Sequence, residues 1–169
     1  MSEGKPVSTS HTVMTLLVFP EHANALGKAF GGQVMSWMDM AGGICSMRHT
    51  GGTTVTASVD DLQFDRAMSI GDVVTVSARV NATFRSSLEV EVTVDAESPR
   101  TGERWRCVES RMTFVAIDAE GKTRAVTPLA PASDDDHARM QAALARREER
   151  LARKRRAVAA AAPVTPHVE

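Results

Sequence analysis

The sequence predicts an α+β protein in which one central helix is wrapped by a curved antiparallel sheet, with a C-terminal helical tail. Three observations predict it. Before residue 131 only one stretch, Gln33 to Arg48, has the 3.6-residue period of a helix. Several long stretches instead alternate, or are rich in Val and Thr. The composition then changes at Pro128-Leu129-Ala130-Pro131, beyond which Ala, Arg and Glu dominate. The chain has 169 residues, one domain's worth with room for a tail. Hydrophobic residues are 43% and charged residues 24%, which excludes a disordered chain and a membrane protein. No apolar run approaches the roughly eighteen residues of a spanning helix.

Each element has a local reason. Thr12 to Phe19 reads as a strand that Pro20 ends. Val34, Met38, Ala41 and Cys45 recur at spacings of four, three and four, which puts them on one helical face. His49-Thr50-Gly51-Gly52 stops that helix, with glycine supplying the C-terminal turn. Thr53 to Phe64 is a strand, and Gly71-Asp72 a turn. Val73 to Phe84 alternates with Val74, Val76, Ala78 and Val80 on one side. Leu88, Val90, Val92 and Val94 alternate against Glu89, Glu91, Thr93 and Asp95, the pattern of a half-exposed strand. Pro99-Arg100-Thr101-Gly102 is a hairpin turn, and Trp105 to Ile117 is the last long strand. Ser133 followed by three aspartates caps a helix near 134–157. The reading divides the chain into a body, residues 10–131, and residues 132–169, a charged C-terminal helix with a disordered end. A single curved sheet leaves its convex face uncovered and its edge strands unpaired, so a homo-oligomer is expected.

Charge and composition bound the partners. Residues 1–131 carry 12 basic against 15 acidic side chains, and residues 132–169 carry 8 against 6. Neither part has the density of a nucleic-acid-binding face. With no Tyr, two Trp and five Phe, the chain is also a poor stacking platform, so no nucleic acid is expected. The run Arg153-Lys154-Arg155-Arg156 reads as a solvated helical face near Glu148 and Glu149. Two cysteines are too few for a disulfide framework and read as reduced thiols of a cytoplasmic protein. The polar stretch Met1 to Ser10 does not resemble a signal peptide, and no integral membrane contact is expected.

The sharpest candidate for chemistry is Asp39, an acid in a helix of apolar and small residues. It shares a stripe with Met35, Gly42 or Gly43, and Ser46, distinct from the core stripe. Two mid-helix glycines cost about 1 kcal/mol each relative to Ala. That cost is tolerable where another backbone or a ligand must come close. A carboxylate beside such a gap could serve as a base; the alternative is a polar residue on a solvated face. Gly31-Gly32 at the helix start offers free N–H groups and a positive dipole end for an oxyanion, or else is a plain tight turn. Cys45 and His49 lie four apart, but Cys45 sits on the core stripe, so a packing thiol is the better reading than a nucleophilic pair. The five histidines form no metal-ligand spacing, and no nucleophile elbow or phosphate-binding loop occurs. Asn81-Ala82-Thr83 is a glycosylation sequon in a chain with no sign of secretion.

Several ordered motifs resemble one family. Phe19-Pro20, Asn24-Ala25-Leu26-Gly27, Phe30-Gly31-Gly32, Trp37-Met38-Asp39 and Ala41-Gly42-Gly43 look like the signature of acyl-CoA thioesterases of the YciA type. These are hot-dog enzymes related to eukaryotic cytosolic acyl-CoA hydrolases. Val55 to Val59, Gly71 to Val74, Arg85 to Val90 and Thr113 to Asp118 fit as well, so the resemblance covers about residues 12–131. It implies the hot-dog fold and hydrolysis of an acyl-CoA thioester to free acid and coenzyme A, with no metal or redox cofactor. It implies Asp39 as general base or nucleophile, Asn24 facing it across a subunit interface, and the Gly32 N–H as oxyanion donor beside Gly31. Arg85, Ser86 and Ser87 match the segment implied in holding the coenzyme A phosphates. The minimal unit implied is a dimer, within a trimer of dimers. Two positions depart from the family pattern: Ala67 follows Phe64-Asp65-Arg66 where proline is common, and Asp65 stands where an apolar acyl-pocket residue is common. Two other readings remain open. A hot-dog dehydratase or hydratase needs a His paired with an acid, for which His22 is the only loop candidate. A non-catalytic acyl-CoA sensor would carry a DNA-binding segment that these residues do not show.

Overall fold

The computed structural model describes residues 4–160. β1 (Lys5–Pro6) and β2 (Thr12–Leu17) precede α1 (Gly31–Thr50). Then follow β3 (Thr54–Phe64), β4 (Val73–Thr83), β5 (Ser87–Glu97), β6 (Arg104–Ala116), β7 (Leu129–Ala130) and α2 (Asp134–Ala160). The expected disordered end beyond Ala160 lies outside the described residues.

Five long strands form one antiparallel sheet in the order β2-β4-β5-β6-β3. The sheet curls round α1, which touches all five. This is the hot-dog arrangement. The core stripe of α1 is buried as its spacing predicts, with Val34, Met38, Ala41 and Cys45 each at most 1% exposed. They meet the inward valines of β4 and β5 with Phe114 of β6. Each such apolar side chain contributes about 1.5–3 kcal/mol when fully buried. Gly42 lets the helix approach this closely, because a Cβ there would stand 2.8 Å from the Phe114 ring. Gly43 has no neighbour within 4 Å, so nothing within one chain requires that glycine.

α1 is longer than its periodicity suggests, beginning at Gly31 and ending at Thr50. Phe30 is extended, and its carbonyl accepts from the N–H groups of Gln33 and Val34, which starts the helix two residues early. At the other end Gly51 adopts φ +67° and closes the turn onto Met47. The Lys5 ammonium donates to the carbonyls of Arg48 and His49, satisfying two of the terminal acceptors. Lys5 is held there by the parallel pairing of β1 with β7, which no periodicity in the sequence foretold.

The convex face of the sheet is not bare. α2 lies across it, tied by ion pairs rather than by an apolar stripe. Arg139 pairs with Glu91 at 2.5 Å, Arg146 with Glu89 at 2.6 Å and Arg150 with Asp60 at 2.5 Å. Arg79 of β4 pairs with Asp135 and Asp136 at the helix start. Of α2's own side chains, only Ala143 is fully buried among the described residues. Glu89 and Glu91, expected to be half-exposed, are 0% and 6% exposed as a result.

β2 and β3 are the sheet's two edges. β3 carries register shifts at Thr56/Ser58 and Asp60/Gln63, and Asp61 sits at φ +49°. Such bulges bend a strand, and here they carry β3 around the helix. Among the described residues no helix is long and apolar enough to cross a membrane.

Candidate active site

Asp39 is exposed in the single chain, on the side of α1 that turns toward the edge strand: the Thr56 hydroxyl donates to Asp39 Oδ1 at 2.5 Å, and Ser46 bonds Thr54 at 2.5 Å two residues further along. Between this side of α1 and β3 runs an apolar groove of about 280 Å³. Gly32, Met35, Ser36 and Asp39 line it from one face of the helix, Val59 and Leu62 from β3, and Met38 and Met112 from below. Asp65, the residue that departs from the family pattern, is not among them.

The start of α1 opens onto the same groove. Gln33 and Val34 bond the Phe30 carbonyl, while the N–H groups of Gly31 and Gly32 have no acceptor among the described residues. They are free donors at the positive end of a 20-residue helix. Gly32 has its own steric reason, since a Cβ there would meet the Phe30 ring at 2.6 Å. Gly32 and Asp39 lie seven residues apart on one helix, about 10 Å along its axis.

The loop before α1 is built around Asn24. Asn24 Oδ1 accepts the N–H groups of Leu26 and Lys28 at 2.9 and 3.2 Å. Two backbone donors fix which end of the amide is the oxygen. The Nδ2 amide group therefore points away from its own loop as a donor, with no partner among the described residues. The loop is pinned to the helix by His22, whose Nδ1 accepts the Phe19 N–H at 3.1 Å and whose ring meets buried Trp37 edge-on at 5.1 Å. Among the described residues no acid pairs with this histidine.

Arg85, Ser86 and Ser87 form the β4–β5 hairpin, where Phe84 bonds the Ser87 carbonyl and Val126 the Arg85 carbonyl. This hairpin lies toward the C-terminal end of α1, the end that Arg124 binds through the Thr50 carbonyl. Ser87 is one residue beyond the cross-strand row of Leu88, Phe114 and Thr56. It is thus two strands, about 10 Å, from β3. Within one chain Asp39 and Gly32 line one groove and Thr56 bonds Asp39; Asn24 and the Arg85 hairpin do not line it.

Cys45 and His49 do not form a nucleophilic pair. His49 is fully buried. Its Nε2 lies 3.1 Å from the Thr127 carbonyl, which can only accept, so Nε2 carries the proton and Nδ1 faces Ser10 at 3.3 Å. Burial holds its pKa below the usual histidine value. Burial also pushes the Cys45 thiol up to about 12, far from a reactive thiolate. Among the described residues no group of three His, Cys, Asp or Glu could hold a metal ion.

Thr56 is the site residue that sequence reasoning missed. It lies in a Val- and Thr-rich strand where every hydroxyl looks alike, and only the bend of β3 toward α1 singles it out.

Known proteins resemble this chain in sequence and in architecture. Residues 26–103 match the family model for the thioesterase superfamily. An uncharacterized acyl-CoA thioester hydrolase of Bacillus subtilis is 37% identical over 90% of this chain and 88% of its own. A cytosolic acyl coenzyme A thioester hydrolase of mouse is 35% identical over 82% of this chain. This chain spans only 24% to 37% of the length of the mammalian relatives it matches. A hexameric acyl-CoA thioesterase structure superposes with a TM-score of 0.85 at 36% identity, covering 89% of this chain and 96% of that one. The acyl-CoA hydrolase of Staphylococcus aureus, solved with butyryl coenzyme A and coenzyme A, superposes at 0.83 with 31% identity over 92% of this chain and 95% of its own. Further structures of that hydrolase carry alanine in place of an asparagine, of an aspartate 15 residues later, and of a threonine 17 residues after that. With its helix-wrapping sheet and a full-length bacterial relative at this identity, the chain belongs to the thioesterase superfamily of hot-dog proteins.

Proposed function

We propose that the protein is an acyl-CoA thioesterase, hydrolysing the thioester to a free acid and coenzyme A. One observation carries the reading: a carboxylate, Asp39, is aimed by the Thr56 hydroxyl at the rim of an apolar groove whose far end holds free helix N–H groups. Asn24, Asp39 and Thr56 also repeat the 15- and 17-residue separations of the three positions replaced in the Staphylococcus hydrolase.

In this reading water adds to the thioester carbonyl carbon while Asp39 takes its proton. The carbonyl oxygen, becoming negative, is held by the Gly32 N–H, and the Asn24 amide donates to the same oxygen or to the water. The tetrahedral species then expels the coenzyme A thiolate, which leaves with the proton as thiol. Attack by Asp39 itself, through a mixed anhydride, reaches the same products. No step calls on a metal or redox cofactor. Arg85, Ser86 and Ser87 hold the coenzyme A phosphates through one guanidinium and the hairpin hydroxyls.

The working site is shared by two chains. On one helix Gly32 and Asp39 stand about 10 Å apart, too far to act on a single carbonyl. A second chain running the other way brings its own Gly32 and Asn24 to Asp39. The free edge of β3 supports such pairing, with Val55, Val59 and Phe64 exposed beside Met35, Met40 and Met47 of α1. A trimer of such dimers fits the hexameric relative. The two buried free cysteines and the cytosolic mouse relative support a cytoplasmic location.

Thiol release from acyl-CoAs tests the reading. Asp39→Ala is expected to lower turnover by about 10²–10⁴-fold with the oligomer and thermal melt unchanged. A variant keeping more than about a third of wild-type turnover would remove Asp39 from the chemistry.

A further inference from the structure

We propose that His22 is a positioning residue: as a neutral imidazole it keeps the Asn24 amide and the Gly32 N–H in register, and its protonation loosens them. The proposal rests on the thioesterase reading, in which these two donors of one chain act at one thioester carbonyl. Both donors hang on residue 22. Residues 22–30 fold back on themselves as a tight hairpin. The Phe30 N–H donates to the His22 carbonyl at 2.8 Å, Ala23 bridges Ala29, and the Asn24 N–H donates to the Lys28 carbonyl at 2.8 Å. Asn24 stands in the turn of this hairpin. Phe30 closes it and leads directly into Gly31 and Gly32 of α1. The base of the hairpin therefore fixes where Asn24 sits relative to Gly32.

His22 is itself held by its neighbours. Its N–H donates to the Phe19 carbonyl at 3.0 Å, its Nδ1 accepts the Phe19 N–H at 3.1 Å, and its ring stands edge-on to Trp37 at 5.1 Å. A backbone N–H can only donate, so Nδ1 must be bare and the ring proton lies on Nε2. A second proton makes Nδ1 a donor facing a donor, and the Phe19 bond is lost. The charged groups on the surrounding elements do not offset this. Glu21, next to it, is exposed. The Lys28 ammonium donates to Ser69 Oγ, and the Asp72 carboxylate accepts the Ser69 N–H. On α1, Asp39 accepts from Thr56, and Arg48 donates to the His11 carbonyl and to Thr12. Among the described residues none of these bonds the His22 ring. Protonation therefore works against the hairpin, and turnover falls on the acid side.

Two substitutions separate the acceptor from the ring. His22→Gln keeps an acceptor for the Phe19 N–H that does not titrate, as glutamine does in a capping box. His22→Phe keeps a ring against Trp37 and removes the acceptor. Thiol release from acyl-CoA is measured against pH for the full chain, with melts and native mass spectrometry confirming fold and assembly. His22→Phe is expected to lower kcat by about 3- to 10-fold at neutral pH, with KM moving far less. His22→Gln restores most of that loss. Wild type is expected to step down in acid to the level of His22→Phe, while His22→Gln stays above both. Wild type and His22→Gln falling together, or His22→Phe turning over like wild type, would overturn the proposal. NMR of wild type with ¹⁵N-labelled His and Asn gives a reading free of activity. An Nε2–H tautomer is expected for His22, with the Asn24 side-chain amide shifting along the ring's own titration. An Nδ1–H tautomer, or an Asn24 amide that stays still as the ring titrates, would also overturn it. If those shifts appear while no acyl-CoA is hydrolysed, the thioesterase reading falls and the placement of Asn24 by His22 stands.

Discussion

In the proposed mechanism Asp39 and Thr56 form the smallest unit on which function depends. A carboxylate held by one hydroxyl has its orientation set before substrate arrives, and a hydrogen bond to a charged group is worth about 1.5–3 kcal/mol. Thr56→Val keeps the shape and removes that donor. It is expected to lower kcat by about 10- to 100-fold, in line with that energy, with KM moving far less. Thr56→Ser restores most of the rate. Steady-state thiol release decides it: full turnover in the valine variant would make Thr56 a packing residue only. Asp39 was legible in the sequence because an acid interrupts an apolar helix and sits at the family's position. Thr56 was not, because its role depends on a bend in β3 that one-dimensional periodicity does not record.

At the scale of elements, the paired glycines of α1 have different reasons. Gly42→Ala places a methyl group 2.8 Å from the Phe114 ring, which is itself buried. Overpacking of that kind costs about 1–3 kcal/mol, so the melt is expected to fall. Gly43→Ala meets nothing within its own chain and is expected not to lower the melt of the fold. Thermal unfolding of the two variants side by side checks this, and equal losses would mean that both positions are packed. The long strands and the central helix were readable in advance because alternation and the 3.6-residue period are strong signals over eleven or more residues. β1 and β7 escaped because two residues each carry no period. The burial of Glu89 escaped because acids at alternate positions normally mean water, and here they mean a second layer of arginines. The Arg85 hairpin was readable as a turn, but nothing in its sequence tells which end of the helix it lies beside.

For the whole molecule, the decisive question is whether two chains complete one site. Asn24→Ala and Asp39→Ala are each expected to be inactive. Mixed and exchanged, they form dimers with one intact and one doubly defective site, and a sizeable fraction of activity returns. Native mass spectrometry confirms the exchange; exchanged oligomers as dead as either parent would confine the site to one chain. The second whole-molecule expectation concerns α2. A chain ending near Pro131 retains every proposed site residue but loses Arg139, Arg146 and Arg150, the α2 partners of Glu91, Glu89 and Asp60, while Arg111 still pairs with Glu91. Partly exposed pairs of this kind contribute up to about 1 kcal/mol each. Hydrolysis is expected to survive the cut while Tm falls by roughly 5–10 °C, measured by scanning calorimetry at matched oligomer concentration. Loss of hydrolysis by an intact truncated oligomer would make α2 part of the coenzyme site. The same ion pairs impose an order on biogenesis. The acids sit in β3 and β5, which leave the ribosome before the helix whose arginines pair with them. A nascent sheet therefore faces water with Glu89 and Asp60 not yet paired and Glu91 held only by Arg111 of β6, and the charge of these carboxylates holds like surfaces of neighbouring nascent chains apart until α2 arrives to cover them.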